Sequence, residues 1–566
     1  MLAKNLMLTV SGGELVVRTL IQAGVEQVYL LYGGHIQPIC EGIREHGLAY
    51  VDMRHEVTAG YAAQGWARAT DSFGVAVVSA APGFTNIISS ITNSFCDRTP
   101  VVYISTSAAL ADAETNNFMS GIDPVAMVKP VTKWAHCVTR TEDIPRLLAH
   151  AIRIATSEPC GPVLLDIPWD IVFGKTEDNR VEIPKLIQFD TAPLPRPEAV
   201  QDALRLLASA RRPVILAGEG AARTGVAEEL RAFVSQTKIP VFASYDAYGL
   251  LPTDHPLYAG GARKMTLLRE PGKSPDVVLA LGIRFGFMTV GANGLLPAGA
   301  KVIQVDVDPK EMGRTRAVTV PMVASSREAL RALNAQCASQ TWPDWRAWNK
   351  TLQDTKAAHR ARIAADAVGR EVPIPPLLAA QAIVESVGED AYIIADGADA
   401  HMWIAEAAQV SEPGRFFSHS SYFGCLGYGL GFSMGVQNAH PGKRVVCVIG
   451  DGALGFTLAE FHTLARHQLP IVVIVMNNRA WGATSHFQDT TVFAGHDRNF
   501  ATDLSGAAYH SVAAALGCHA ALVTRIEQLG PTVRAAFASG KPACINVEIA
   551  VEDIAPDHKA LTFLRS

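Results

Sequence analysis

Two polar residues, each closing an apolar run, carry the strongest chemical signal in the chain. Val-Val-Cys-Val-Ile is followed by Gly450, Asp451, Gly452 and Ala453, and Ile-Val-Val-Ile-Val-Met ends in Asn477 and Asn478. Apolar runs of this kind predict strands covered on both faces, and parallel strands present ligand sites at their carboxyl ends. Asp451 and Asn478 lie 27 residues apart in a strand–helix–strand unit, which would bring two hard oxygen ligands together. Such a pair suits Mg2+, which takes one or two protein oxygens plus phosphate oxygens and water. The glycines let backbone N–H groups approach a diphosphate at a helix start. A lone Gly-Asp-Gly would be an ordinary turn; the second strand end at this spacing turns it into a candidate cation and diphosphate site.

Three other positions could serve the same ligand. Glu56, in Arg-His-Glu-Val-Thr-Ala-Gly, follows a strand and opens a helix of small residues. Alone it would only complement the helix dipole; beside a bound heterocycle its carboxyl could engage a ring nitrogen, where desolvation favours a protonated carboxyl. His35 follows Gly33-Gly34 in a loop between a strand and a helix, where an imidazole can act as general acid and base. In Gly-Cys-Leu-Gly, Gly424 could offer its carbonyl to a ring amino group and Leu426 could wedge a two-ring ligand into a bent form.

These residues need sheets to hold them. Short β-branched apolar runs at 75–79, 101–105, 163–167, 214–217, 277–281, 302–305, 392–395, 445–449, 471–476 and 544–548 alternate with amphipathic stretches. The pattern predicts an α/β protein with more than one parallel sheet. Polar and then proline-rich residues at 174–198 predict one connection, and a charged helical stretch at 338–375 ending in Val-Pro-Ile-Pro-Pro predicts another. The expected domains are 1–185, 190–340 and 360–566. The first and last share a layout of strand, Gly-rich turn, helix and strand.

The chain resembles thiamine diphosphate-dependent enzymes of the acetolactate synthase and pyruvate decarboxylase superfamily, and its segments are most similar to benzaldehyde lyases. Carrying the likeness are Gly-Gly-Glu-Leu-Val-Val-Arg-Thr-Leu-Ile (12–21), Gly-Gly-His-Ile (33–36), Arg-His-Glu (54–56), Glu-Thr-Asn (114–116), Gly-Ile-Asp (121–123), Thr-Lys-Trp-Ala-His (132–136), Gly-Pro-Val-Leu-Leu-Asp-Ile-Pro-Trp-Asp (161–170), Met-Asn-Asn (476–478), Trp-Gly-Ala-Thr (481–484) and Pro-Ala-Cys-Ile-Asn-Val (542–547). The resemblance implies three doubly wound parallel-sheet domains: pyrimidine-binding, central and diphosphate-binding. It implies thiamine diphosphate with Mg2+, held between the first domain of one subunit and the third of another, hence a homodimer at minimum and an expected homotetramer. By matching position, Glu56 activates the aminopyrimidine, Gly424 and Leu426 position it, and Asp451, Asn478 and the Ala480 carbonyl hold the metal. His35 handles protons on the substrate oxygen, and Trp169 and Ala483 line an apolar pocket. Three features depart from benzaldehyde lyase: Met119 stands where it has a glutamine, His401 where it has a tyrosine, and Tyr32 and Gly34 where it has histidine and alanine. The implied activity is cleavage of 2-hydroxy ketones (acyloins) to aldehydes and their ligation in reverse. Alternatives on the same scaffold are an acetolactate synthase-like 2-oxo acid decarboxylase or ligase, a 2-hydroxyacyl-CoA lyase and a flavin-containing oxidase. For the oxidase, Leu-Ala-Gly-Glu-Gly-Ala-Ala-Arg at 216–223 offers a glycine-rich turn, read here first as structural.

Composition excludes other classes. In 566 residues, 49% are hydrophobic, and 49 basic against 54 acidic side chains leave a net charge of −5. This argues against intrinsic disorder and against a protein built on phosphate-backbone contacts, so no nucleic-acid partner is expected. No run of about 18 apolar residues predicts a membrane span. The N-terminus lacks the signal-peptide pattern. Nine cysteines without a C-x-x-C pair are expected as small buried hydrophobes, and the chain as cytoplasmic.

Overall fold

The computed structural model describes residues 9–559 apart from 113–114, 116–118, 120, 187–189, 271, 287–294, 419–421 and 491–499. Glu114 and Asn116 of the quoted Glu-Thr-Asn segment therefore lie outside the described residues. The chain divides into two compact units. One comprises residues 1–191 with 430–442 and 459–469; the other comprises 192–429, 443–458 and 470–566.

The first unit is built on a six-stranded sheet in the order Ala49–Asp52, Gln27–Leu31, Gly74–Val78, Val101–Ser105, Val163–Asp166, Trp134–Cys137. Every neighbouring pair is parallel. Helices Gly12–Gln22, Gln37–His46 and Ile144–Thr156 bury Leu15, Val16, Leu20, Ile39, Ile43, Leu148 and Ile152 in a core with Val75, Val77, Val102 and Ile104.

The helix Glu56–Thr70 is made of small residues because it is covered on nearly every side. Gly60 lies against Ser90 and Tyr103, and two segments from far along the chain close the remaining face. Gly65 meets the backbone of Phe432, and Gly435 meets Ala62 and Gly65. Helix Glu460–Arg466 adds an ion pair from Arg466 to Asp52 at 2.6 Å, with His467 on the same carboxylate at 2.9 Å.

The second unit contains two further six-stranded parallel sheets. One runs Tyr258–Gly261, Val241–Ala243, Pro213–Ala217, Val277–Leu281, Lys301–Asp306, Val320–Val323. Counted along the chain this is the order 3-2-1-4-5-6 of dinucleotide-binding folds. At its switch point, however, Gly218 and Gly220 pack directly on Gly282 and Ile283, and Glu219 forms a buried ion pair with Arg284 at 2.9 Å. The glycines at 216–223 thus serve close packing. The other sheet runs Phe416–Ser418, Tyr392–Asp396, Val445–Gly450, Val472–Asn477, Ala543–Glu548, His519–Val523. Its order, 2-1-3-4-6-5, repeats that of the first unit, so the shared layout of the two ends of the chain extends to topology.

The expected connection at 338–375 is more than a linker. Its helix Arg346–Ala367 buries Trp348, Leu352 and Ile363 in the core of the second unit. Trp345 and Trp348 donate their indole N–H to the carbonyls of Ala210 and Pro213. The cysteines correct an expectation: none of the nine is in a disulfide, but only Cys337, Cys447, Cys518 and Cys544 are buried, the others being half-buried. No helix among the described residues is long and apolar enough to cross a membrane.

Candidate functional site

The chemistry predicted from sequence falls into two constellations, one in each unit. In the first unit it gathers at the carboxyl edge of the sheet. Gln27–Leu31 runs into exposed Tyr32 and the Gly33-Gly34 turn, which delivers His35. Gly33 sits on Ser79, and Ser79 and Glu56 both lie against Gly83, so the loops after three neighbouring strands meet. His35 is 9% exposed, and its ring packs on Trp169 at 5.4 Å. Burial lowers its pKa, which keeps the imidazole neutral and able to accept a proton. Trp169 is 43% exposed and also meets Phe173, so an apolar wall stands beside the imidazole. Met119 is half-buried with φ +51°, a left-handed backbone uncommon outside glycine.

Glu56 is the first residue of its helix, and Asn86 donates to its Oε2 at 3.0 Å. The chain leading into it is held by a residue that sequence reasoning missed. Glu460, 1% exposed, accepts from the backbone N–H of Arg54 at 3.1 Å and of His55 at 3.0 Å, and from the Thr463 hydroxyl at 2.6 Å. No local motif announces this, because 405 residues separate Glu460 from His55. Ala81, at φ +53° and ψ −105°, was equally illegible. It stands two residues from Gly83, and such a strained alanine persists only where its surroundings fix it.

In the second unit, Gly450 ends its strand and Asp451 starts the short helix Asp451–Gly455. Asp451 is 2% exposed, and its Oδ2 has no hydrogen-bond partner among the described residues. Burial pushes the carboxyl up to about 7 despite backbone N–H donors including Gly452, Arg479 and Ala480. A buried carboxylate oxygen without a donor is suited to ligate a cation. Asn478 stands at the end of the adjacent strand, its Oδ1 accepting from Ala480 N–H at 3.1 Å. The Ala480 loop is zipped to a neighbouring segment by Trp481 N–H to Thr502 O and Leu504 N–H to Arg479 O, both 2.8 Å. These bonds leave the Ala480 carbonyl out of the zipper. The residues present therefore fit a hard divalent cation. Gly452 has a reason not foreseen: a side chain there would strike the Trp481 ring at 2.6 Å. Ala453 is buried behind it, and Ala483 is half-buried in the first turn of helix Gly482–Thr490.

Gly424, at φ +72°, is exposed with open space at its Cα, and Leu426 is half-buried. Their loop hangs on Asp396, another residue sequence reasoning missed, whose carboxylate accepts from Gly427 N–H at 3.3 Å and Gly429 N–H at 2.8 Å. His401 is placed differently from an open pocket wall. It is 2% exposed, its Nδ1 lies 2.6 Å from Gly397 O, and its ring packs on Tyr245. Its helical position, four residues after Gly397, buries it.

Comparison with known families divides the chain into three domains. Residues 10–127 match the family described as thiamine pyrophosphate enzyme, N-terminal TPP binding domain. Residues 200–333 match the thiamine pyrophosphate enzyme central domain, and 396–547 the C-terminal TPP binding domain. The acetolactate synthase large subunit IlvG of Mycobacterium tuberculosis is 31% identical over 541 residues, covering 95% of this chain and 96% of that protein. Acetolactate synthase isozyme 3 large subunit of Escherichia coli is 30% identical over 507 residues, covering 87% of each chain. The acetolactate synthase large subunit of Corynebacterium glutamicum is 31% identical over 540 residues, covering 93% of this chain and 84% of its own. These names favour the acetolactate synthase alternative over the benzaldehyde lyase likeness expected from the segments.

Proposed function

The chain belongs to the thiamine pyrophosphate enzyme family, and from that premise we propose that it is a carboligase that moves an acyl group from a 2-oxo acid to a carbonyl acceptor, in the manner of acetolactate synthase. One observation carries the reading: near-full-length likeness to acetolactate synthases.

Thiamine diphosphate, when bound, supplies a carbon nucleophile that can add to a carbonyl and carry the charge left when a neighbouring bond breaks. The rest falls to the chain. Asp451, Asn478 and the Ala480 carbonyl would hold a divalent cation such as Mg2+. Glu56, fixed by Asn86 and by the Glu460-anchored turn before it, would engage a ring nitrogen of the aminopyrimidine. Gly424 and Leu426 would help to position an aminopyrimidine ring. His35, neutral and backed by Trp169, takes a proton from or returns it to the substrate oxygen. In this reading Tyr32, Gly34 and Met119 are substrate-facing residues of the first unit, and Ala483 is one of the second. Met119 brings no hydrogen-bond donor, so orientation of the substrate oxygen falls on His35. The functional unit in this reading is a homodimer or a larger homo-oligomer.

A second reading, reversible acyloin cleavage to aldehydes, is favoured by the His35–Trp169 pair, an apolar wall suited to an uncharged substrate. One assay panel separates the two. With thiamine diphosphate and Mg2+, the protein is offered pyruvate, benzoin, an aliphatic acyloin, formaldehyde and a 2-hydroxyacyl-CoA. Carbon dioxide release from pyruvate with formation of a 2-hydroxy-3-oxo acid as ligation product is expected. Aldehyde release from an acyloin with no carbon dioxide from pyruvate would overturn the first reading in favour of the second.

A further inference from the structure

The second unit holds a cluster that the carboligase reading does not use. Asp399, in the first turn of helix Ala398–Ala407, His486, in helix Gly482–Thr490, and His558, in the short helix Pro556–Lys559, converge from three distant parts of the chain. Each offers one ligand atom, and the three atoms lie within 4.8 Å of one another. Their side chains are 11%, 5% and 7% exposed. We propose that these residues form a second divalent-cation site, selective for Zn2+ and similar borderline ions and distinct from the all-oxygen site of Asp451 and Asn478.

Three features support the assignment. First, His486 Nε2 lies 2.7 Å from the Val551 carbonyl, so Nε2 carries the hydrogen and Nδ1 is the atom turned toward Asp399. A backbone carbonyl fixing the tautomer from behind is the usual support of a metal-ligating histidine. Second, the spacing fits a shared ion better than a direct ion pair. His486 Nδ1 stands 3.3 Å from Asp399 Oδ2, and His558 Nδ1 stands 3.3 Å from Asp399 Oδ1. Charge-assisted N–H···O contacts run about 2.7–2.9 Å, whereas two ligands on a tetrahedral zinc with bonds of about 2.0–2.1 Å lie about 3.3 Å apart. Asp399 Oδ2 accepts no hydrogen bond from the described residues. Third, the donors are preorganised. Asp557, next to His558, is anchored by the Tyr245 hydroxyl at 2.6 Å and Lys264 Nζ at 2.9 Å. The imidazole therefore reaches the cluster on an element already fixed by other bonds.

The donor set sets the selectivity. Two imidazoles and a carboxylate suit Zn2+, Co2+ or Ni2+, while Mg2+ prefers oxygen and retains water. A cation there would pin residues 556–559 to helices 398–407 and 482–490, and three protein ligands would leave a fourth position for water or an anion. The two cation sites are neighbours, since a side chain at Gly482 would meet both the Asn478 amide and Asp399 Oδ2. The experiment must therefore tell them apart.

The full-length protein, stripped with chelator and then supplied with thiamine diphosphate and Mg2+, is titrated with Zn2+ alone and with Co2+ alone. One Zn2+ per chain beyond the Mg2+ is expected, with the visible bands of four-coordinate Co2+. Changing a supporting residue behind a metal ligand typically costs 10–100-fold in affinity, so His486→Ala and His558→Ala should each weaken Zn2+ by about 100-fold or more. Asp451→Asn should leave it unchanged. X-ray absorption of the zinc-loaded wild-type protein needs no variant. Two imidazoles and oxygen in the coordination sphere support the proposal, and an all-oxygen sphere overturns it. Absence of Zn2+ uptake overturns it as well, as does uptake lost in Asp451→Asn but kept in His558→Ala, which would place the ion in the magnesium site. None of these readouts depends on the substrate, so failure here and failure of the carboligase reading are separable.

Discussion

Replacing Asp451 by Asn should stabilise the cation-free protein while abolishing its ability to be stabilised by cofactor. Burial lifts the Asp451 carboxyl from its ordinary 3.8 to about 7. At about 1.36 kcal/mol per pH unit, a charged Asp451 costs the cation-free fold about 4 kcal/mol above pH 7. The folded state binds this proton more tightly than the unfolded chain does, so stability falls as pH rises from about 3.8 to about 7 and stays low beyond. Asparagine keeps one acceptor for the surrounding N–H groups and carries no charge, which removes the penalty. The gap between variant and wild type should be about 4 kcal/mol at pH 8 and roughly 2 kcal/mol at pH 5.5. Calorimetric melting of chelator-treated protein at the two pH values measures it. A shift on the order of 5 °C is expected at pH 8, because 1 kcal/mol moves a 150–250-residue domain by about 2–4 °C and this unit is larger. Adding thiamine diphosphate and Mg2+ should raise the wild-type melting temperature and leave the variant where it was. A variant that melts at or below wild type at pH 8, or a gap that does not narrow at pH 5.5, would refute the view that Asp451 is a strained carboxylate awaiting a cation.

Three other outcomes follow from the geometry. Glu56→Gln should lower kcat by about 10²–10⁴-fold, the usual range for a positioned proton-transfer group, with thiamine diphosphate affinity by calorimetry nearly unchanged. His35→Ala should slow turnover with cofactor binding intact; because burial holds its pKa below the ordinary histidine value, wild-type activity should persist to pH values below 6.5, with an acid limb absent from the variant. Glu460→Ala strips the acceptor from two backbone N–H groups and a hydroxyl, at about 1–3 kcal/mol for each donor left unsatisfied, and should lower both the melting temperature and kcat; Glu460→Gln, which keeps one oxygen, should recover part of each.

The parts of the fold legible in sequence were those where burial leaves an unbroken apolar run. Val101–Ser105, Val277–Leu281, Val445–Gly450 and Val472–Asn477 stand inside their sheets and could be read directly, to within a residue or two. Edge strands could not. Val320–Val323 alternates buried and exposed residues, and Trp134–Cys137 is half-buried throughout, so neither writes a continuous run. The short inner strand Val241–Ala243 offers three residues, too few to stand out. The candidate site divides the same way. Asp451, Asn478 and Glu56 are fixed by strand ends and could be read from local pattern. Glu460 and Asp396 act on backbone N–H groups across long sequence separations, and a single carboxylate has no spacing to betray it.

The two segments that return to cover helix Glu56–Thr70 bear on how the protein is made. The first unit is complete only when residues 459–469 have been synthesised, 278 residues after its N-terminal portion ends at 191. At about 5–20 residues per second on the ribosome, that is an interval on the order of 15–55 seconds. During it, Gly65, Ala62 and the carboxylate of Asp52 lack their final partners, and the turn leading into Glu56 lacks Glu460. A nascent chain stopped anywhere before 430 therefore carries an exposed small-residue groove, the kind of surface that a folding chaperone or a second nascent copy would meet first.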